Sequence, residues 1–376
     1  MKLKNLIIYY PSFEKGGVEK IIMNLISYFE TRKINVYFIS ENNSNLKFLN
    51  KFKFVKLISP KKKFSSFLPA RFNKAFNCLF PLINLLSKMN KKNTVIHSMQ
   101  SSYLPILVSK FKNFRIVVRN SEDPISSIKF ADKIILSSLI FLLRFIFYNF
   151  ADKIITNSKG SANSLKLFMF GKNKKKIQYI YNPYLTKKKI KNSYTKVKKK
   201  NIILAIGRLC KQKNFEDLIK AFAIFSKTNK KFVLRIVGQG YQKIYLNNLI
   251  RSLNMNKKIF LLGYVDNLDK IYKESKIFVL PSIYEGLGNV LIDALNFSLP
   301  CLATDCKSGP NEILCKGKAG YIVPIKNVYE LEKKIRLIVD EYPKALKKVK
   351  YGKYKLFRFN AEKQSQKYLN HLSSTL

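Results

Sequence analysis

From residue 202 to residue 340 the chain alternates short apolar runs with segments of helical period, and that alternation leaves few folds open. It predicts strands at 202–207, 232–237, 259–262, 277–280, 301–304 and 321–323. Helices are expected between them at 215–225, 244–253, 267–274, 289–296 and near 311, with another at 329–340. Strands joined through such helices pair in parallel with right-handed crossovers, which builds a doubly wound sheet. The first half starts the same way. A strand at 6–10 runs into PSFEKGG and then into a helix whose Val18, Ile21, Ile22, Leu25, Ile26 and Phe29 form one apolar face; a second strand follows at 35–40. Runs at 94–97, 114–119 and 153–157 extend the pattern, with a helix at 161–170. The fold class is therefore α/β, with two Rossmann-like domains of parallel sheet whose strand ends face a central cleft, the ordinary place for a ligand.

Residues 172–200 hold 12 lysines and no acid, with a break at Asn182-Pro183. A run of like charge repels itself and does not condense into a core, so a linker is expected at 186–200. That sets domains at 1–185 and 201–350, with a basic tail at 351–376 that turns helical after residue 360. Over the whole chain 71 basic residues face 22 acidic ones, a formal net charge of +49. Such a charge attracts nucleic acid or an anionic bilayer. The abundance of Lys, Asn, Ile, Phe and Tyr without any Trp also fits an AT-rich coding sequence, and composition leaves both origins open.

The five cysteines include no C-x2-C pair, which predicts free thiols in a reducing cytoplasm. No apolar run reaches the roughly 20 residues of a membrane span. The nearest, IILSSLIFLLRFIFYNF at 134–150, is interrupted by Arg144. It reads either as a helix lying flat at a bilayer interface or as a buried helix with a snorkelling arginine. Residues 52–93 read as helices mixing basic and apolar side chains, a surface suited to an anionic membrane.

The chemistry concentrates in residues 278–312, FVLPSIYEGLGNVLIDALNFSLPCLATDCKSGPNE. An apolar strand enters a Pro/Ser/Gly loop carrying Glu285, and the loop opens a helix at 289–296 with Asp293 about a turn inside. Gly286 and Gly288 remove side chains where phosphates would approach the first free amides of that helix. Two acids beside an anion-binding helix start suggest a sugar nucleotide. In the first half, Gly16 and Gly17 precede a helix but do not form G-x-G-x-x-G, so the nicotinamide fingerprint is absent.

Taken in order, these residues resemble the retaining GT-B glycosyltransferases of family 4. Gly16-Gly17-Val18-Glu19 resembles the family's G-G-x-E loop, Gly207-Arg208-Leu209 with Lys213 its G-R-L…K-G element, and Glu285 to Asp293 its E-x7-E element. Val237-Gly238-Gln239-Gly240, Leu262-Gly263-Tyr264-Val265, Asn182-Pro183 and Ser308-Gly309-Pro310-Asn311-Glu312 complete a set spanning nearly the whole chain. The last form is similar to members that build bacterial surface polysaccharides and lipid-linked oligosaccharides. The resemblance implies a GT-B fold with an N-terminal acceptor domain, a C-terminal nucleotide-sugar domain and a C-terminal helix returning to the first domain.

It also implies roles. Arg208 and Lys213 would meet the diphosphate of a UDP- or GDP-linked donor without a metal or other cofactor, helped by the amides of Gly286, Leu287, Gly288 and Asn289. Glu285 would bond donor-sugar hydroxyls. Asp293, one methylene shorter than the family's usual Glu, would reach for the ribose. Gly238, Tyr264 and Val265 would form the base slot; Gly16, Gly17 and His97 would face the sugar or acceptor. Arg119 and Asn120 replace a second family histidine on that side. The expected activity is retaining transfer of a hexose or N-acetylhexosamine to a polyprenyl-diphosphate-linked glycan or polysaccharide precursor. It would take place in the cytoplasm, peripherally at the inner face of the plasma membrane. The competing expectations are a sugar-nucleotide epimerase of the same fold and a basic nucleic-acid-binding protein, for which no zinc-finger, RNP or basic coiled-coil pattern is found.

Overall fold

The structure is a computed structural model that describes residues 2–13, 17–41, 44–65, 70–100, 102–130, 134–193 and 197–376. The chain forms two parallel sheets. The first contains β1 (Asn5–Tyr9), β2 (Asn35–Ile39), β3 (Val55–Ile58), β4 (Thr94–Ser98), β5 (Arg115–Asn120), β6 (Lys153–Thr156) and β7 (Ile177–Tyr179). Their order in space is β3-β2-β1-β4-β5-β6-β7. The second contains β8 (Ile202–Ile206), β9 (Val233–Val237), β10 (Ile259–Leu261), β11 (Ile277–Leu280), β12 (Cys301–Thr304) and β13 (Tyr321–Val323), ordered β10-β9-β8-β11-β12-β13. Strand order reverses beside β1 and beside β8, and in open α/β sheets ligands bind past the strand ends at such a reversal.

Both sheets are buried on both faces. Leu6 and Ile8 enter one core of the first unit, with the helix Gly17–Thr31. Ile7 and Tyr9, on the opposite pleat, enter the other. In β8, Ile203 and Ala205 face one core and Leu204 and Ile206 another. Ile21, Ile22, Leu25, Ile26 and Phe29 are all nearly or fully buried, each contributing about 1.5–3 kcal/mol. The period seen in the sequence is thus the period of burial.

Three local features differ from expectation. The strands β3 (VKLI) and β7 (IQY) are not evident in the sequence, because both are short edges of the sheet that carry polar side chains among few apolar ones. The lysine-rich segment is not a loose linker. Tyr184 and Leu185 already pack in the second unit's core, and the segment continues as the helix Lys187–Ser193 with Ile190 against that core. A single apolar residue, Ile190, and an acid, Asp293, to receive Lys189 anchor the helix despite the charge.

The chain crosses between units twice, side by side. Leu185 N–H donates to the Phe359 carbonyl at 2.9 Å, and Ala361 N–H to the Leu185 carbonyl at 2.9 Å. Beyond this point the C-terminal helix Ala361–Ser373 returns to the first unit, where Tyr368 and Leu372 are fully buried among residues of β1 and the helix Gly17–Thr31. Leu372→Ala should therefore lower stability by about 2–4 kcal/mol. Chemical denaturation is the check, and a change below about 0.5 kcal/mol would show that the returning helix is not part of the first unit's core.

Candidate active site

The loops that carry the candidate residues follow the ends of β8, β9, β10 and β11. Gly207 N–H bonds the Val237 carbonyl at 3.0 Å and Gly238 N–H bonds the Gly263 carbonyl at 2.8 Å, which fastens three neighbouring loops together. After Arg208 a short turn, Lys211–Lys213, ends on Asn214 in the left-handed region, and the helix Phe215–Ser226 begins. This geometry turns Lys213 back across the strand end. Its ammonium pairs with Glu285, both side chains being largely buried. Ser282 Oγ donates to the same carboxylate oxygen at 2.7 Å and Ser308 Oγ to the Glu285 carbonyl at 2.6 Å. The acid is thereby fixed.

Arg208 is exposed and reaches Gln212 Oε1 at 3.4 Å, while Gln212 Nε2 donates to the Tyr284 carbonyl at 3.0 Å. Arg208, Lys213 and Glu285 thus belong to one connected rim. Leu287 is buried, and Gly288, at φ 87°, is the N-cap of the helix Asn289–Asn296, a backbone angle that a side chain would strain. The first amides of this helix open beside the Lys213–Glu285 pair, a favourable place for an anion.

The first unit meets this loop directly. A Cβ on Gly286 would lie 1.9 Å from the Ser121 carbonyl oxygen, so only glycine allows the two units to approach as they do. Asn157 Nδ2 donates to that same carbonyl at 2.9 Å. Gly17 comes within ordinary contact of Asn289, 3.7 Å measured from its would-be Cβ, which brings the helix Gly17–Thr31 against the start of the helix Asn289–Asn296. Gly16 lies outside the described residues.

Arg119 and Asn120 differ from the expected sugar contacts. Arg119 is buried, donating to Tyr368 Oη at 3.3 Å, to Asn182 Oδ1 at 2.8 Å and to Ser121 Oγ. Asn182 passes the link on to Asn289 Oδ1 at 2.9 Å. The guanidinium therefore braces two of the points where the first unit touches the loop at 284–289, Ser121 and Asn182. Among the described residues it has no carboxylate within ion-pair distance, so its charge is met by neutral acceptors. Asn120 donates to the Glu122 carbonyl at 2.6 Å.

Asp293 also departs from expectation. It is 2% exposed, its oxygens held by the Tyr184 hydroxyl at 2.6 Å and the Lys189 ammonium at 2.5 Å. The short side chain is taken up by the crossover segment instead of standing open for a ribose. Tyr264 is about half exposed, and Val265 packs against the second unit's core.

His97, at the end of β4, is fully buried and donates from Nδ1 to the Val117 carbonyl at 3.1 Å. Nε2 is then the lone-pair nitrogen, and it has no partner among the described residues. Burial pushes the imidazole down to about 3, the Val117 bond partly opposing this and nearby Arg119 adding to it.

Contacts not legible as functional in the sequence complete the seam. Glu312 accepts from the amides of Lys159 at 2.9 Å and Gly160 at 2.7 Å, at the start of the helix Lys159–Lys166 in the other unit, and from Tyr181 Oη at 3.1 Å. Its sequence signal was membership of the S-G-P-x-E element, which gives no role by itself.

Comparison with known proteins accounts for both units. Residues 15–187 match the family described as Glycosyltransferase Family 4, and residues 186–355 the one described as Glycosyl transferases group 1. The chain belongs to glycosyltransferase family 4. An uncharacterized glycosyltransferase of Methanocaldococcus jannaschii is 36% identical over 217 residues, 55% of this chain and 52% of the relative. The N-acetylgalactosamine-N,N'-diacetylbacillosaminyl-diphospho-undecaprenol 4-alpha-N-acetylgalactosaminyltransferase of Campylobacter jejuni is 31% identical over 245 residues, 64% of this chain and 65% of the relative. The family 4 chain thus spans about half to two thirds of the length of these curated relatives. Among solved structures, S. aureus TarM superposes with a TM-score of 0.80 at 15% identity, covering 99% of both chains. Anabaena HepE in complex with UDP and glucose gives 0.76 at 16% identity, covering 99% of this chain and 100% of that one. The fold is GT-B.

Two expected outcomes follow from this geometry. Gly286→Ala should destabilise the protein by about 1–3 kcal/mol through forced separation of the units, whereas Gly17→Ala, with open contact distances, should be near neutral. Equal effects in thermal denaturation would contradict the seam. For His97, the unfolded chain binds a proton below about 6.5 and the folded chain only below about 3, so stability is fully present above pH 6.5 and falls on acidification toward pH 3. Between pH 7 and 4.5, His97→Gln should lose about 2–3 kcal/mol less than the parent protein; an equal loss would show that His97 is not held neutral.

Proposed function

We propose that this protein transfers a hexose or N-acetylhexosamine, with retention, from a UDP- or GDP-sugar to a lipid-linked glycan or surface-polysaccharide precursor. The observation that carries this reading is the Lys213–Glu285 pair set against the helix start at Gly288 and Asn289, where the two units meet. A departing nucleoside diphosphate gains negative charge as the glycosidic bond breaks. Lys213, Arg208 and the first amides of the helix Asn289–Asn296 supply fixed positive charge for it, without calling on a metal ion. When the diphosphate takes Lys213, the Glu285 carboxylate becomes free to accept from sugar hydroxyls, still oriented by Ser282. Retention then proceeds by front-face substitution, with no protein nucleophile assigned.

The acceptor class is supported by the relatives. Two Campylobacter jejuni proteins are named for transfer of N-acetylgalactosamine to undecaprenol-linked glycans, and an S. aureus relative for transfer of N-acetylglucosamine to poly(ribitol-phosphate). HepE, alike in fold, holds UDP and glucose. No helix among the described residues is long and apolar enough to cross a membrane. We place the protein at the cytoplasmic face, attached peripherally through its basic surface.

A panel of UDP- and GDP-sugars with mass detection of the released nucleotide, run with an undecaprenyl-diphosphate-linked acceptor in vesicles, tests this. One donor should be consumed, and Glu285→Ala should lower the rate about 100-fold or more while circular dichroism stays unchanged. Full activity in that variant, or no consumption of any donor, would overturn the assignment.

A further inference from the structure

The helix Ile134–Tyr148 is built inside out for a surface helix. Its one charged side chain, Arg144, faces the protein, where Nη2 donates to Glu122 Oε1 at 2.9 Å and only 15% of the side chain is exposed. A snorkelling arginine would do the opposite. The outward face is mostly apolar: Ile135, Leu139, Leu142 and Ile146 are 89%, 50%, 51% and 41% exposed, at spacings that place them in a single stripe, with the small Ser138 exposed at its side. Phe141 and Phe145 of the same helix hold Phe168 and Phe170 edge-on at 4.7 and 4.8 Å, which sets the exposed Leu167 and Phe170 beside the stripe. Exposed Lys166, Lys172 and Lys174 flank these residues along the chain. A contiguous apolar face of this kind with a polar rim marks an interaction site.

Three occupants come into question, and charge separates them. A second copy would bring another lysine rim and another share of +49 against the first, which opposes association. A protein partner has nothing in the structure to specify it. A bilayer with anionic headgroups satisfies both halves of the surface at once, apolar residues at the acyl boundary and lysines at the phosphates. The helix has 15 residues and so a length of about 22 Å, short of the roughly 30 Å hydrocarbon core, which requires it to lie flat.

We propose that the outer face of Ile134–Tyr148, continued by Leu167 and Phe170, is the surface by which the protein seats on an anionic lipid bilayer. The assignment deepens the lipid-linked acceptor reading above and rests on it for its purpose. Position supports it as well. Phe130, four residues before the helix, stacks on Tyr284 of the donor loop at 6.4 Å with ring planes 13° apart, and Tyr284 adjoins Glu285. Seating the helix therefore holds the opening of the active site close to the membrane that carries the acceptor.

The test is flotation of the full chain with vesicles of phosphatidylcholine alone or with about one third phosphatidylglycerol. The double variant Leu139→Glu/Leu142→Glu should lose binding to the anionic vesicles by about tenfold or more, and the control Ile244→Glu, exposed on the other unit, should not. Both variants alter exposed positions and should keep the parent's melting temperature. Unchanged flotation of the double variant overturns the proposal. So does a parent protein that sediments as a dimer and becomes monomeric in the variant, since the face is then a self-contact. Vesicle binding needs no turnover, so binding lost in the variant with no donor ever consumed would count against the transferase reading and leave this surface standing.

Discussion

The seating of the Ser121 carbonyl against Gly286 is the constraint on which the site depends. No side chain fits between them, so the first unit reaches the loop that carries Glu285 and the start of the helix Asn289–Asn296. Around this contact the seam is polar. Arg119 braces Ser121 and, through Asn182, Asn289; Glu312 caps the helix Lys159–Lys166 from across the gap. Polar seams between domains permit relative motion in a way that large apolar ones do not. Under the function proposed above, such a seam would let the cleft admit a nucleotide sugar and release a nucleotide.

In a chain so rich in lysine, the positions of the few acids matter more than those of the bases. Glu285, Asp293 and Glu312 all lie along the line where the units meet, each with a defined donor: Lys213, Lys189 with Tyr184, and the amides of Lys159 and Gly160. Glu285 differs from the other two in that its cation, Lys213, is the one proposed above to pass to an incoming diphosphate. A largely buried ammonium beside one carboxylate does not stand unpaired in a low-dielectric site. Arg119 adds positive charge behind the same loop, met by the neutral partners Tyr368, Ser121 and Asn182 among the described residues.

Much of this was legible in the sequence because burial leaves a period. The strand-helix alternation gives both sheets, and the apolar face from Val18 to Phe29 gives the first helix. The loop chemistry around Glu285, together with the family resemblance, brings Arg208, Lys213 and Glu285 to one rim. What escaped had physical reasons. The edge strands β3 and β7 lack a full apolar pattern. The lysine run folds because Tyr184, Leu185 and Ile190 find a core far away in sequence, which no local count of charge reveals. Two of the three bonds of Arg119, and both of those of Asp293, depend on partners 63 to 249 and 104 to 109 positions distant, so residue type alone suggested ligand contacts where the fold supplies protein ones.

The central claim is that Lys213 exchanges Glu285 for the diphosphate of a nucleotide. Calorimetric titration of UDP and GDP into the protein and into Lys213→Gln tests it most directly, because binding is read without the acceptor or turnover. Loss of one charge-assisted contact predicts an affinity about 10- to 100-fold weaker for the preferred nucleotide in the variant. Equal affinity in the two proteins would contradict the account.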